Sequence, residues 1–219
     1  MMEKRWIDYI NSLDVPYSPF IEEMREEAIA NNVPIIRRDA QNVLCTLLQI
    51  KQPKTILEVG AAIGYSSIVM SEALDHEVMI TTIENYAPRI EEAKKNFIKA
   101  KRFNISLLEG DASMHIEELV SQDKKFDFIF MDAAKGQYIK WLPNAIRLLN
   151  EGAVLVSDNI LQEGDLLESR FAIERRNRTI HNRMREYLYE LTHHDALKTI
   201  VLPVGDGMTI TTLKKGFCL

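Results

Sequence analysis

TILEVGAAIGYSS, residues 55–67, decides the fold. It opens as a short apolar, β-prone run and closes as the start of a helix. Between the two, Gly60 and Gly64 permit a tight turn and close backbone approach, and the helix amino terminus beyond them offers free N–H groups. The same alternation then repeats. VMITTIE (78–84) precedes a helix from about Pro88, and ISLLEGD (105–111) precedes one near Ser113 to Val120. FDFIFMD (126–132) leads into a helical stretch broken by Pro143, and GAVLVSD (152–158) is the fifth strand. Five apolar strands separated by helices predict βαβ units and a mostly parallel sheet covered on both faces.

Outward from this centre the chain changes character. The first fifty residues read as a helical extension: Ser18-Pro19 is a helix-start signal, and Asp39 can cap a helix that presents Val43, Leu44, Leu47 and Leu48 on one face. Towards the other end, a helix from about Ser169 to Leu191 carries Ile180, Met184, Leu188 and Leu191 in a stripe. KTIVLPVGDGMTITTL (198–213) then reads as two strands joined at Gly205-Asp206-Gly207, a connection suited to an antiparallel hairpin. The expectation is one α/β domain over residues 1–219, a mostly parallel seven-stranded sheet with an antiparallel edge hairpin and helices (1–50) in front.

The composition fits one soluble domain. Of 219 residues, 46% are hydrophobic and 27% charged, too apolar for a disordered chain. A net charge of −5 excludes a wholly basic, histone-like protein but not a local basic patch. Two cysteines, Cys45 and Cys218, suggest neither a disulfide framework nor a zinc knuckle. The amino terminus lacks a secretory apolar region and no run approaches a membrane span, so the expected location is the cytoplasm, with no membrane partner. His76, His115, His181, His193 and His194 lack metal-ligand spacing. Lys94 to Arg102, preceded by Glu91 and Glu92, reads as a salt-bridged outer helix face.

The candidate site lies at the strand ends. The loop after the first strand lacks G-x-G-x-x-G; it carries Glu58 and then Gly60, Ala62 and Gly64 at alternate positions. That resembles the acid-x-G-x-G-x-G loop of class I S-adenosylmethionine-dependent methyltransferases, with Ala62 in place of the middle glycine. Glu84 closes the second strand, where a carboxylate can accept ribose hydroxyls. Asp111 and Ala112, after the third strand, fall where this fold class approaches adenine. Asp132 ends the fourth strand and Asp158-Asn159 the fifth, so these three oxygen donors can converge; such a set suits Mg²⁺ or a similar hard cation.

From about Ile36 onward the chain is similar to the metal-dependent O-methyltransferase family of catechol and caffeoyl-coenzyme A enzymes. The resemblance implies a Rossmann-like class I methyltransferase fold, S-adenosylmethionine as cofactor, and Mg²⁺ or Mn²⁺ held by Asp132, Asp158 and Asn159. It further implies Lys135 as general base, Ile36 over the cofactor in place of a frequent Met, Ser66 against the methionine portion, and Asp132 beside the cofactor as well as the metal. DAAKGQY (132–138) and LPVGDGM (202–208) resemble the branch that methylates 5-hydroxyuridine at the wobble position of bacterial tRNA. Methyl transfer from a sulfonium needs an electron-rich oxygen at attack distance; a cation beside a hydroxyl acidifies and orients it, and a lysine beside a cation is able to act as base. Two vicinal oxygens, as in 5-hydroxyuridine or catechol, suit such a site.

One segment bears on the acceptor. Between residues 170 and 185 six arginines (Arg170, Arg175, Arg176, Arg178, Arg183, Arg185) face one acid, Glu174, a balance of +5. Arg175, Arg176 and Arg178 are the candidates for gripping the phosphates of a tRNA anticodon loop. The plainer reading of the patch is a solvated helix face, or one paired with acids across a homodimer interface. Tyr138 and Trp141 could stack a base, though aromatics at this spacing more often belong to a core. Two alternatives to a tRNA enzyme stay open: a small-molecule catechol-type O-methyltransferase, and a nucleoside-binding module without catalysis, which the set of Asp132, Lys135, Asp158 and Asn159 argues against.

Overall fold

The computed structural model describes residues 4–74, 77–169 and 171–214. Cys218, His76 and Arg170 lie outside them. Helices α1 (Lys4–Ser12), α2 (Pro19–Ala30) and α3 (Arg38–Lys51) precede an alternating series: β1 (Thr55–Val59), α4 (Tyr65–Glu72), β2 (Met79–Glu84), α5 (Ala87–Lys99), β3 (Ile105–Glu109), α6 (Ala112–Ser121), β4 (Phe126–Met131), α7 (Tyr138–Arg147) and β5 (Leu149–Asp158). Helix α8 (Arg178–His193) and the strands β6 (Leu197–Leu202) and β7 (Met208–Leu213) complete it. The strands form one seven-stranded sheet in the order β3-β2-β1-β4-β5-β7-β6. All neighbours through β5 pair in parallel, and β7 runs antiparallel to both β5 and β6. No helix among the described residues is long and apolar enough to cross a membrane.

Period-two alternation divides the central strands between two cores. Ile56, Phe128, Phe130, Val154 and Val156 face α2–α5, whereas Leu57, Val59, Ile129, Met131 and Leu155 face α6–α8. That is why these strands read as unbroken apolar runs: each face has its own layer of helices. Strand order reverses direction of growth between β1 and β4, and the crevice outside their carboxyl ends is where such sheets bind ligands.

Four sequence expectations need correction. Asp39 does not cap α3; Arg37 holds the cap position without a side-chain capping bond, and the Asp39 carboxylate accepts from the N–H of Ala40 and of Gly205. Pro143 does not break its helix: α7 runs through it, because Tyr138, Trp141, Leu142, Ala145 and Ile146 are all buried, and that burial outweighs one missing backbone bond. The last helix starts at Arg178 rather than near Ser169. Among the described residues between Ser169 and Arg178 only Ile173 is buried, so no apolar stripe draws residues 171–177 into a helix. Its buried face is His181, Met184, Tyr187 and Leu191; Ile180 is exposed and Leu188 only partly buried. Ser18 does cap α2, and Lys94 pairs with Glu91 and also with Glu109.

Candidate functional site

A cavity of about 700 Å³ opens at the carboxyl ends of β1, β2 and β4. Gly60, Ala62, Ser66, Glu84, Asp111 and Ala112 line one side, and Ile36, Asp132, Lys135 and Asn159 also face it. The glycine turn has the conformation its sequence demands. Gly60 and Gly64 have φ of +104° and +79°, and Ala62 is held at +44° where a glycine would be free of strain. Gly64 is not itself in the cavity wall; it lets the turn settle on Phe97, whose ring a Cβ at that position would meet at 2.5 Å.

Glu58 does not reach the cavity. It is wholly buried, accepting hydrogen bonds from the Ser67 hydroxyl and from Thr82 Oγ1 at 2.5 Å. Burial pushes its carboxyl up to about 7, although the surrounding hydroxyls pull the other way. The acid ahead of the glycines therefore ties β1 to α4 and β2 beneath the loop, one layer below the residues that line the cavity.

Glu84 is where the sequence places it. One of its oxygens accepts the Ala62 N–H at 2.8 Å, and the other accepts those of Asn85 and Tyr86, each at 2.9 Å. A carboxylate offers about four acceptor sites, so with three taken by backbone N–H groups about one is left for a ribose hydroxyl. Asp111 caps α6 by accepting the Ser113 N–H, and that bonding holds its carboxyl below the usual range. Tyr65 and Tyr86, which also line the wall, escaped the sequence reading. Tyr86 is 59% exposed, an aromatic two residues beyond the strand-end acid, and that adjacency was the available signal. Trp141 joins them in the wall, held by a bond from its indole N–H to Ser113 Oγ at 3.0 Å.

The acids of β4 and β5 stand side by side, because Met131 and Ser157, which precede them, are register partners. Asp132 accepts from Lys135 Nζ at 2.9 Å. Asp158 is buried and accepts the Asn159 N–H at 2.7 Å. Burial, and then the neighbouring Asp132 carboxylate, push its carboxyl up to about 7. Asn159 stands at φ +61°, a left-handed conformation that asparagine tolerates better than most residues. Tyr138 belongs to the core but also fixes this corner: its hydroxyl accepts the Ala133 N–H and donates to the Met131 carbonyl, each at 3.0 Å, bracketing Asp132.

Among the described residues no group of three or more His, Cys, Asp and Glu side chains gathers as a metal cluster. Asp132, Asp158 and Asn159 supply two carboxylates and one amide. That donor set fits a hard divalent cation with coordination positions left for water and a substrate, and a cation would relieve the repulsion between the two acids.

A second, open cavity of about 430 Å³ adjoins the first, and Ala134, Lys135 and Gln137 belong to both. Gly136, Asp165, Asn177, Ile180 and Arg183 complete it, and Arg183 donates to the Gly136 carbonyl at 3.1 Å. Arg175, Arg176 and Arg178 line neither cavity. Arg176 pairs with Glu174 at 2.7 Å. Arg178 is committed to its own turn, bonding the carbonyls of Ile173 and Phe171.

Comparison with known proteins agrees with this geometry. A sequence profile described as O-methyltransferase matches residues 11–214. A catechol O-methyltransferase of Niastella koreensis is 34% identical over 56% of this chain and 56% of its own. The crystal structure of a Staphylococcus aureus protein, provisionally assigned as a caffeoyl-CoA O-methyltransferase, superposes with a TM-score of 0.84 at 31% identity, covering 96% of this chain and 98% of that one. A Bacillus cereus O-methyltransferase in complex with SAH has the same fold, with a TM-score of 0.82 at 22% identity, covering 94% of this chain and 96% of that one.

Proposed function

Because the chain belongs to the O-methyltransferase family, we propose that it transfers a methyl group from S-adenosylmethionine, with a divalent cation, to one oxygen of a vicinal pair: the O5 of 5-hydroxyuridine at the tRNA wobble position. The observation that carries this reading is the place of Lys135, which lines both cavities at once. One cavity has the residues for a nucleoside cofactor; the other is open and free to admit an acceptor. A base belongs at their junction.

The chain's own groups divide the work. Glu84 and the Gly60–Gly64 turn would hold the ribose and the amino-acid end of the cofactor, with Ile36, Ser66, Asp111 and Ala112 around it. Asp132, Asp158 and Asn159 would hold Mg²⁺ or Mn²⁺. When bound, S-adenosylmethionine supplies the electrophilic methyl group, and the cation supplies the charge that acidifies a neighbouring hydroxyl. Lys135, which donates to Asp132, would take the hydroxyl proton once it has lost its own proton to solvent and Asp132 has been drawn away from it towards the cation. Tyr138 keeps Asp132 aimed by fixing the peptides on either side.

For the acceptor, the sequence around Lys135 and in LPVGDGM supports tRNA, as do the exposed Arg175, Arg176 and Arg185, in the segment that also gives Asn177, Ile180 and Arg183 to the second cavity. An anticodon loop can splay out a base and present it to such a cavity. The similarity to a catechol O-methyltransferase favours a second reading, a small catechol acceptor. Nucleoside mass spectrometry of tRNA from a deletion strain separates the two: accumulation of 5-hydroxyuridine is expected, and an unchanged profile selects the catechol reading.

A further inference from the structure

We propose that Asp39, with the Arg37–Asp206 ion pair beside it, positions the Asp158–Asn159 turn and so sets how tightly that turn binds a divalent cation. The proposal rests on the cation reading above. The residues concerned join two walls of the cavity that are far apart in sequence. Ile36 forms one wall and Asn159 another. Between them lies the five-residue connection from β6 to β7, residues 203–207.

That connection is gripped from the α3 side. Asp39 Oδ1 accepts the Ala40 N–H at 3.0 Å, and its Oδ2 accepts the Gly205 N–H at 2.9 Å. Arg37 pairs with Asp206 at 2.7 Å. Gly205 stands at φ +59° with its α-carbon so close that a Cβ would lie 3.1 Å from the Cβ of Ala40. On its other side the connection grips the metal turn. The carbonyls of Gly207 and Asp206 accept the N–H groups of Ile160 and Leu161 at 3.0 and 2.8 Å. These are the two residues that follow Asn159, itself held in a left-handed conformation. A Cβ on Gly207 would fall 2.3 Å from Leu161 Cγ, so the two segments cannot slide past each other. Releasing Asp39 frees the connection, and with it the backbone bonds that orient Asn159.

Mn²⁺ titration followed by electron paramagnetic resonance, beside SAH titration calorimetry, tests this in Asp39→Ala, Asp39→Asn and Arg37→Ala. Asp39→Ala is expected to weaken Mn²⁺ binding by about 10-fold or more, the usual effect of losing a residue that orients a metal ligand, with a smaller loss of SAH affinity. Asp39→Asn keeps a carbonyl oxygen for Gly205, though it turns its NH2 towards the Ala40 N–H, and should recover part of the Mn²⁺ affinity, which a merely structural role would not require. Should Asp39→Ala fail to fold, Arg37→Ala at the exposed end must show a weaker loss in the same direction. Wild-type Mn²⁺ affinity in the folded variants overturns the proposal alone, as does an equal fall for Mn²⁺ and SAH without recovery in Asp39→Asn. A wild-type protein that binds no Mn²⁺ overturns the cation reading and this proposal together.

Discussion

Gly60 and Asp132 meet backbone to backbone: a Cβ placed on Gly60 would fall 2.1 Å from the Asp132 carbonyl oxygen. The cofactor loop and the acid of the candidate metal site are thus one packed unit, with no space between for a side chain. Gly60→Ala must both push that carbonyl away and place a Cβ at φ +104°. The expected cost is about 2–5 kcal/mol of stability, from overpacking and backbone strain. In the protein that still folds, SAH and Mn²⁺ affinities should fall together. Denaturant unfolding and calorimetry measure both; a stable variant with unchanged affinities would show that the two halves are independent.

Glu58 makes stability fall with rising pH. Its carboxyl is pushed up to about 7 in the folded protein from an ordinary value of 4.5, so between those values the folded state binds more protons than the unfolded one. The contribution is therefore fully present below about pH 4.5, declines as pH rises, and is lost above about pH 7. Its size is of order 3 kcal/mol. Glu58→Gln should consequently show a shallower fall in unfolding free energy between pH 5 and 8 than the wild-type protein. Curves of equal slope would remove Glu58 from this account.

The arginine segment separates an RNA acceptor from a small one. Arg178 bonds two carbonyls of its own turn, so replacing it would disturb structure, and Arg175 and Arg176 are the pair to neutralise. Arg175→Ala with Arg176→Ala should weaken tRNA binding and flatten its salt dependence by about 0.7–0.9 log-log units for each phosphate that is no longer neutralised. Methylation of a small catechol should hardly change. An unaltered salt slope would favour the small acceptor.

Much of this architecture was legible because its signals are local. β1, β2, β4 and β5 are apolar runs bounded by glycine or acid, and the parallel sheet, the glycine turn and the place of Glu84 follow from them. What was misread depends on packing that sequence spacing does not carry. Glu58 occupies the motif position of a cofactor ligand, but Thr82 and Ser67 draw it under the loop. Asp39 has the chemistry of a helix cap, yet its partner, Gly205, is 166 residues away. The burial of His181, whose ring bonds the Glu168 carbonyl at 3.2 Å, leaves no trace in the sequence spacing. In α8 the apolar stripe was placed one step off because a histidine and a tyrosine, rather than Ile180 and Leu188, complete the inner face.

Transfer of labelled methyl from S-adenosylmethionine to tRNA bearing 5-hydroxyuridine, and in parallel to catechol, by enzyme stripped with a chelator tests the central claim most directly. At least one acceptor should be methylated only after Mg²⁺ or Mn²⁺ is restored, and Asp158→Ala should stay inactive at cation concentrations that saturate the wild-type protein. Full transfer by the stripped enzyme would contradict the role given to Asp132, Asp158 and Asn159.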